Sequence, residues 1–302
     1  MLHLNPEIMT SNLPTANYYH VGLHKTGSTF LQVHIFPLFE DSIAYFQGKI
    51  ATARFDISSF AKHLAGRPVF FANSSIAGDP LNFEPDAAAR IAAQNPNAKV
   101  IISIRSQRTI LRSLYWLCVK GGEKRSFDNF ARGLLASSKL DYWQLVESYR
   151  QVLGEANVLV LLFEEFISNP ELTIGRLAKF FDVPEPAFIR DAPQTRPTPG
   201  DLVIGTARRI NTLPILANTD TEARVGPLVR QGVLATAYFG EAVYRQISGR
   251  TLRIFDVSAL EADIAAACSS SNRRLFASMY ETPYAISYPG MEASVAAETG
   301  TT

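Results

Sequence analysis

Tyr18 to Gln32, with the sequence YYHVGLHKTGSTFLQ, is the stretch that decides the fold. Its apolar first part has strand character, the frame Gly22-Leu-His-Lys-Thr-Gly-Ser-Thr29 supplies a turn with two glycines, and a helix-like pattern begins near Gly27. The free N–H groups at the start of a helix, together with the helix dipole, attract anions. A strand, a glycine-bearing turn and a helix in this order therefore predict a phosphate-binding loop.

The lysine of this loop lies in an unusual place. In the Walker A loop of nucleotide kinases, GxxxxGK[ST], the lysine directly follows the second glycine. Here Ser28 follows Gly27, and Lys25 lies inside the loop. The frame is thus typical of a phosphate cradle, while the position of the lysine argues against a nucleotide kinase.

Short apolar runs alternate with helical patterns along the first part of the chain. Because these runs are almost continuously apolar, they indicate strands buried on both faces, as in a parallel sheet. We predict strands at about 18–23, 68–73, 99–105 and 157–163, and helices at 84–95 and 141–153. This alternation predicts an α/β fold: a three-layer sandwich with a central parallel sheet, similar to P-loop NTPases.

The sequence pattern changes after residue 183. A proline-rich connection there leads into helical patterns at about 201–213, 221–236 and 259–280. We therefore expect a mostly helical C-terminal elaboration. The predicted organisation is an N-terminal extension (1–17) and a single domain (18–290), followed by a disordered tail (291–302). Within the domain, we expect the α/β core to span 18–183 and the helical elaboration to span 184–290.

Composition excludes several classes of protein. The 302 residues carry a net charge of +1, so no global field attracts nucleic acid or an anionic membrane. Two cysteines far apart predict neither a disulfide scaffold nor a cysteine zinc site, and five histidines without an HExxH pattern make a metal site improbable. The chain has neither a secretion signal nor an apolar run of about 20 residues, so we expect a cytoplasmic protein without a transmembrane segment.

A second motif follows the strand predicted at 99–105. This strand ends in Arg105, and Ser113 and Tyr115 follow it in the next predicted helix. The planar guanidinium of an arginine matches the oxygens of a phosphate dianion, and a serine hydroxyl adds a second donor. Arg105 and Ser113 therefore form a candidate site for a second phosphate group.

The two motifs together resemble those of sulfotransferases that use 3′-phosphoadenosine 5′-phosphosulfate (PAPS). GLHKTGSTFLQ after an apolar strand resembles their 5′-phosphosulfate loop, and the spacing of Arg105, Ser113 and Tyr115 resembles their 3′-phosphate motif. Further similarity lies in the stretches 121–130, 140–149, 158–166 and 271–276. The resemblance covers residues 18–183 well and the remainder loosely.

This resemblance implies transfer of a sulfuryl group from PAPS to a hydroxyl or amine acceptor, with a carbohydrate or another small molecule as the acceptor. It implies that Lys25 stabilises the charge that builds on the bridging oxygen. It further implies that the loop binds the 5′-phosphate, that Arg105 and Ser113 bind the 3′-phosphate, and that no metal ion is required. The loop residues that would bind the 5′-phosphosulfate end of the donor are Lys25, Thr26, Gly27, Ser28 and Thr29.

The general base departs from the family pattern. Relatives carry a glutamate in a segment like SNESLSG, where this chain has Asn73-Ser-Ser-Ile-Ala-Gly78, so that Ser74 replaces the glutamate. A serine is not a general base at neutral pH, and we therefore predict His24 as the substitute, since an unperturbed imidazole titrates near pH 6.5. His63, His34, Asp79 and Glu84 are weaker candidates.

Two other functions stay open at this point. A P-loop nucleotide or small-molecule kinase would require magnesium-dependent ATP turnover, and both the early lysine and the pair of Arg105 and Ser113 argue against it. A catalytically impaired relative that only binds the nucleotide is consistent with Ser74. Because the predicted donor site is complete, the enzyme is the favoured interpretation.

Overall fold

The computed structural model describes residues 16–47, 66–73, 76, 78–79, 82–83, 86–188, 198–212, 225–250 and 252–292. The strands in these residues are β1 (Tyr18–Gly22), β2 (Ala44–Gln47), β3 (Val69–Ala72), β4 (Gly78–Asp79), β5 (Asn82–Phe83), β6 (Lys99–Ile104) and β7 (Val158–Leu162). Five of them form a parallel sheet in the order β2-β3-β1-β6-β7, and β4 and β5 form a small antiparallel pair. The predicted parallel sheet is confirmed.

Helices cover both faces of this sheet. The α-helices are α1 (Ser28–Phe30), α2 (Ala87–Gln94), α3 (Gln107–Lys120), α4 (Phe127–Ala136), α5 (Tyr142–Leu153), α6 (Phe163–Ser168), α7 (Pro170–Phe181), α8 (Asp201–Thr212), α9 (Val225–Ser248) and α10 (Glu261–Ala277). The helical path of α1 continues through a π turn, Leu31–Ile35, and a 3₁₀ turn, Phe36–Phe39.

Two hydrophobic cores, one on each face of the sheet, make the three layers. Successive side chains of a strand point to opposite faces. Accordingly, Tyr19 and Val21 of β1 belong to one core, with α2, α3, α4, α5 and α10, while Tyr18 belongs to the other, with α1 and α7. Apolar residues on both faces explain why the strands are almost continuously apolar in sequence. The predicted three-layer sandwich is therefore confirmed.

The edge strand β2 was missed by the sequence analysis. Its four residues, AYFQ, change from buried Ala44 to exposed Gln47, so the run lacks the continuous apolarity that reveals the central strands. Some helix ends also differ: the helix predicted to begin at residue 84 is described from Ala87, and the one predicted at 221–236 extends to Ser248. The residues before Ala87 and before Val225 lie partly outside the described chain.

The C-terminal third is mostly helical, as predicted. Helices α8 and α9 pack against each other, and α10 packs against α4 and α5. The division into extension, domain and tail stays a prediction, because residues 1–15 and 293–302 lie outside the described residues. In the described part of the chain, no helix is both long enough and apolar enough to cross a bilayer.

Candidate anion-binding site at the carboxyl edge of the sheet

The strand order places the two predicted phosphate motifs side by side. The chain runs from β1 to β2 and β3 on one side of the sheet, and then to β6 and β7 on the other, so the order reverses between β1 and β6. Parallel α/β sheets bind their ligands at such a switch point, beyond the carboxyl ends of the strands. The loop after Gly22 and the segment after Ile104 lie at this point.

The loop after β1 is shaped by two glycines in close contact with their surroundings. A β-carbon on Gly22 would lie 2.5 Å from the hydroxyl oxygen of Ser103 on β6. At Gly27 the backbone is left-handed (φ 83°), and a β-carbon would lie 2.6–2.7 Å from the rings of Phe163 and Phe166. A side chain at either position would push the loop off the sheet or off α6.

The end of the loop presents donors that the fold itself leaves unused. The carbonyl of Gly27 accepts from the N–H groups of Phe30 and Leu31, and this contact starts the helix. The earlier N–H groups, on Ser28 and Thr29, have no partner within a helix. Among the described residues the buried hydroxyl of Ser28 has no hydrogen-bond partner. A buried polar atom without a partner requires an explanation such as a bound water or ion, and at the start of a helix it is consistent with an anion.

Lys25 lies at the turn of this loop in a strained conformation. Its backbone has a positive φ of 71°, which costs a residue other than glycine about 1 kcal/mol or more. Its carbonyl oxygen accepts a hydrogen bond of 3.2 Å from Nη1 of Arg105. The left-handed conformation thus turns the carbonyl of Lys25 toward β6, and the side chains of Lys25 and His24 are half-exposed.

Arg105 joins the two predicted motifs directly. Its Nη1 also donates to the hydroxyl of Ser113 at 3.3 Å, and its Nε donates to Thr109 at 2.9 Å. The guanidinium lies 4.1 Å from the ring centre of Phe163, the residue that also packs on Gly27. The structure therefore brings together Lys25, Arg105 and Ser113, which are far apart in sequence.

Thr26 differs from its neighbours in the loop because its hydroxyl points inward. This fully buried hydroxyl donates to the carbonyl of Leu23 at 2.7 Å and contacts the hydroxyl of Ser103 at 2.9 Å. Ser103 in turn contacts Nε2 of the buried His20 at 3.1 Å. Thr26 therefore stabilises the loop through its side chain, and only its backbone N–H remains for the predicted contact with an anion.

His20 below the loop makes the stability of the protein depend on pH. Burial lowers the pKa of His20 to about 3, whereas an unfolded histidine titrates near about 6.5. Between these values the unfolded chain binds one proton more, so the free energy of unfolding falls by up to about 1.4 kcal/mol for each pH unit below about 6.5. This contribution is fully present above pH 6.5 and is lost on acidification.

We expect His20→Gln to flatten this dependence, because an amide keeps a hydrogen bond to Ser103 without titrating. Urea unfolding of wild type and variant between pH 7.5 and pH 5 measures the two slopes. The variant should be less stable at pH 7.5 and lose less stability on acidification. Equal slopes would show that His20 is not the titrating group.

The remaining candidates fall into three groups. Tyr115 is fully buried, and its hydroxyl donates to the carbonyl of Arg125, so it is a core residue rather than a phosphate ligand. His34 lies in the π turn after α1, and its buried Nε2 has no hydrogen-bond partner among the described residues. Ser74, His63 and Glu84 lie outside the described residues, and only the backbone of Asp79 is described.

The two carboxylates after β7 have structural partners. Glu164 and Glu165 lie in the first turn of α6. Glu165 is fully buried and accepts from Arg176 at 2.6 Å, while Glu164 accepts from the backbone N–H of Ser106 at 3.1 Å. Glu164 thus fixes the segment that directly follows Arg105.

One residue of the site was missed by the sequence analysis. The hydroxyl of Thr198 lies 2.8 Å from the hydroxyl of Ser113, and the two residues are 85 positions apart. Thr198 belongs to the proline-rich connection, which was interpreted only as a link between the core and the C-terminal helices. No local signal in the sequence connects it with α3.

A family model described as "Sulfotransferase family" matches residues 39–187, just under half of the chain. The matched region includes Arg105 and Ser113 and begins after the loop that carries Lys25. The match confirms the resemblance to sulfotransferases, and it supports sulfuryl transfer as the class of reaction. No curated protein matches the chain.

Solved structures with a similar arrangement include a sulfotransferase from Alicyclobacillus acidocaldarius, with 19% identity over 61% of this chain and 88% of that one and a TM-score of 0.44. Mouse sulfotransferase SULT7A1 complexed with PAP is 12% identical over 74% of this chain and 72% of its own, with a TM-score of 0.39. At TM-scores this low, the likeness adds no argument to the strand order and contacts described above.

Proposed function

We propose that this chain, whose residues 39–187 match the sulfotransferase family, transfers the sulfuryl group of PAPS to the hydroxyl or amine of a small acceptor. The observation that carries the proposal is the position of Arg105, which donates to both the carbonyl of Lys25 and the hydroxyl of Ser113. The proposed sites for the 5′-phosphosulfate and for the 3′-phosphate would therefore adjoin at Arg105.

The 5′-phosphate would bind to the end of the β1 loop. The first N–H groups of the helix offer donors to its oxygens, as does the hydroxyl of Ser28, which has no partner in the described part of the chain. Gly27 allows the close packing of Phe163 and Phe166 that excludes water from one side of the loop. The groups around this position are hydroxyls, N–H groups and cations, and all of them interact favourably with an anion.

The 3′-phosphate would bind to Arg105 and Ser113. The guanidinium is partly buried, and this burial lowers its pKa from the ordinary arginine value, which still leaves it charged at neutral pH. A charge held away from bulk water interacts more strongly with a phosphate than an exposed one. The stack on Phe163 keeps the guanidinium in place before the nucleotide binds.

In the transfer step, the acceptor oxygen or nitrogen forms a bond to sulfur while the bond between sulfur and the bridging oxygen breaks. Negative charge builds on that oxygen, which remains with adenosine 3′,5′-bisphosphate (PAP), and the ammonium of Lys25 stabilises it. The acceptor's proton goes to a general base, and His24, adjacent to Lys25 and half-exposed, is our proposal for that base. This scheme requires no metal ion.

The acceptor that we propose is a carbohydrate or another hydroxyl-bearing small molecule. This choice follows from the resemblance, and the cytoplasm as the location stays a prediction from the sequence.

Calorimetric titration of the wild type with PAP in the absence of metal tests the donor site, and release of PAP from PAPS in the presence of an acceptor panel tests the transfer. We expect PAP to bind at micromolar concentration or tighter. Binding of ATP with magnesium in place of PAP would contradict the proposal and favour a kinase. Binding of PAP without transfer to any acceptor, by the wild type and by Ser74→Glu, would show a catalytically impaired relative.

A further inference from the structure

The segment that connects the core to α8 is attached to α3 next to the proposed 3′-phosphate site. Its residue Thr198 is half-exposed, and its hydroxyl contacts the buried hydroxyl of Ser113 at 2.8 Å. Arg105 donates to the same oxygen of Ser113 at 3.3 Å. Three side chains from three separate segments therefore meet at one point.

An ion pair with a buried carboxylate holds this segment in place. Arg112, the neighbour of Ser113, donates from Nε to the carboxylate of Asp201 and from Nη2 to the carbonyl of Pro199, both at 2.5 Å. Asp201 is only 1% exposed, and its second oxygen accepts from the backbone N–H groups of Ile254 and Phe255. A buried carboxylate with all these partners is costly to displace, so Thr198 has a fixed position.

Helix α9 fixes the same segment from its other side. The carboxylate of the buried Glu241 accepts from the N–H of Leu202 at 2.7 Å, in the first turn of α8. A β-carbon on Gly200 would lie within about 2 Å of that carboxylate, so this close approach requires a glycine. The contacts of Arg112 and Glu241 restrain the three residues that follow Thr198, namely Pro199, Gly200 and Asp201. They thereby position Thr198.

We propose that Thr198 is a further ligand of the donor's 3′-phosphate and, with Ser113, makes the site selective for nucleotides that carry this group. The inference rests on the proposed function and deepens it. Two hydroxyls in mutual contact have two protons, of which their shared hydrogen bond uses one. Among the described residues the other proton has no acceptor, so it can be donated outward, beside the N–H groups of Arg105.

The same pair explains how selectivity would arise. When a phosphate binds, both hydroxyls can turn to its oxygens, and each forms a hydrogen bond to a charged acceptor, the stronger kind. When the nucleotide has no 3′-phosphate, the hydroxyls bond to each other again and nothing is gained. Removing the hydroxyl of Thr198 should therefore weaken binding only for nucleotides with the 3′-phosphate.

The test is Thr198→Val, which removes the hydroxyl and keeps the branched shape. By calorimetry, its affinity for PAP should fall by about 10- to 100-fold, while its affinity for adenosine 5′-monophosphate stays that of the wild type. Thr198→Ser keeps the hydroxyl and should bind PAP like the wild type. The matched control is Thr212→Val at the exposed end of α8, where the hydroxyl donates to the carbonyl of Arg209.

The outcomes separate the inference from the proposed function. If the wild type binds PAP and Thr198→Val binds it equally well, Thr198 is not a ligand. Equal weakening for PAP and for the monophosphate would likewise overturn the inference, because the loss would then come from the fold of the segment. A wild type that binds neither nucleotide would contradict the donor site as a whole.

Discussion

Lys25→Ala is expected to lower the rate of sulfuryl transfer by about 10²- to 10³-fold and to leave the affinity for PAP within about fivefold of the wild type. The charge that Lys25 stabilises develops on the bridging oxygen only as its bond to sulfur breaks. Removal of the ammonium therefore raises the energy of the transition state much more than that of the bound product. The backbone carbonyl that accepts from Arg105 is kept in the variant.

Single-turnover release of PAP from saturating PAPS measures this rate, and calorimetry with PAP measures the affinity. The control is Lys179→Ala, an exposed lysine near the end of α7, where the chain returns to the amino edge of the sheet. Its rate should equal that of the wild type. A Lys25→Ala variant with an unchanged rate would remove the lysine from the mechanism. If the rate falls only as much as the affinity for the nucleotide falls, Lys25 contributes to binding and not to the transfer step.

Arg105→Ala is expected to weaken PAP binding by about 100-fold or more, since it removes charge-assisted hydrogen bonds to the 3′-phosphate. The loss of affinity should exceed that for a residue that contacts only the phosphate, because Arg105 also donates to the carbonyl of Lys25 and to Ser113. Its loss leaves the left-handed turn at Lys25 without this support. The donor loop should therefore become less well ordered as well.

Arg105→Lys separates the charge from the shape of the guanidinium. An ammonium keeps the charge but cannot reach Lys25, Ser113 and Thr109 together, so we expect an affinity between those of Arg105→Ala and the wild type. Arg245→Ala, at an exposed position in the last turn of α9, is the control for a general loss of positive charge. PAP binding by Arg105→Ala at the strength of the wild type would refute the assignment of the 3′-phosphate site.

Local patterns in the sequence predicted the elements on which the site is built. The strands β1, β3, β6 and β7 are buried on both faces, and a chain segment with no polar face shows this in its composition. The order of strand, glycine turn and helix around Lys25 is equally local. The spacing of Arg105 and Ser113 follows from a strand end and a helix that continues directly from it.

Other features were decided by contacts that no local pattern encodes. The edge strand β2 is half-exposed and four residues long, so its sequence does not distinguish it from a loop. The inward direction of the Thr26 hydroxyl depends on Ser103, which is 77 residues away on β6. The reason for Gly27 is also distant, because the rings that exclude a side chain there belong to α6.

The sequence by itself thus determined the class of fold and singled out the proposed donor loop and the two residues of the proposed second phosphate site, because each depends on residues that are neighbours along the chain. Only the tertiary structure decided that Arg105 bridges Lys25 and Ser113, and that Thr198 reaches the same point. These contacts depend on the order of the strands and on the packing of α8 and α9. Hydrogen bonds between distant residues form only after the buried sheet and its helices have set their separation.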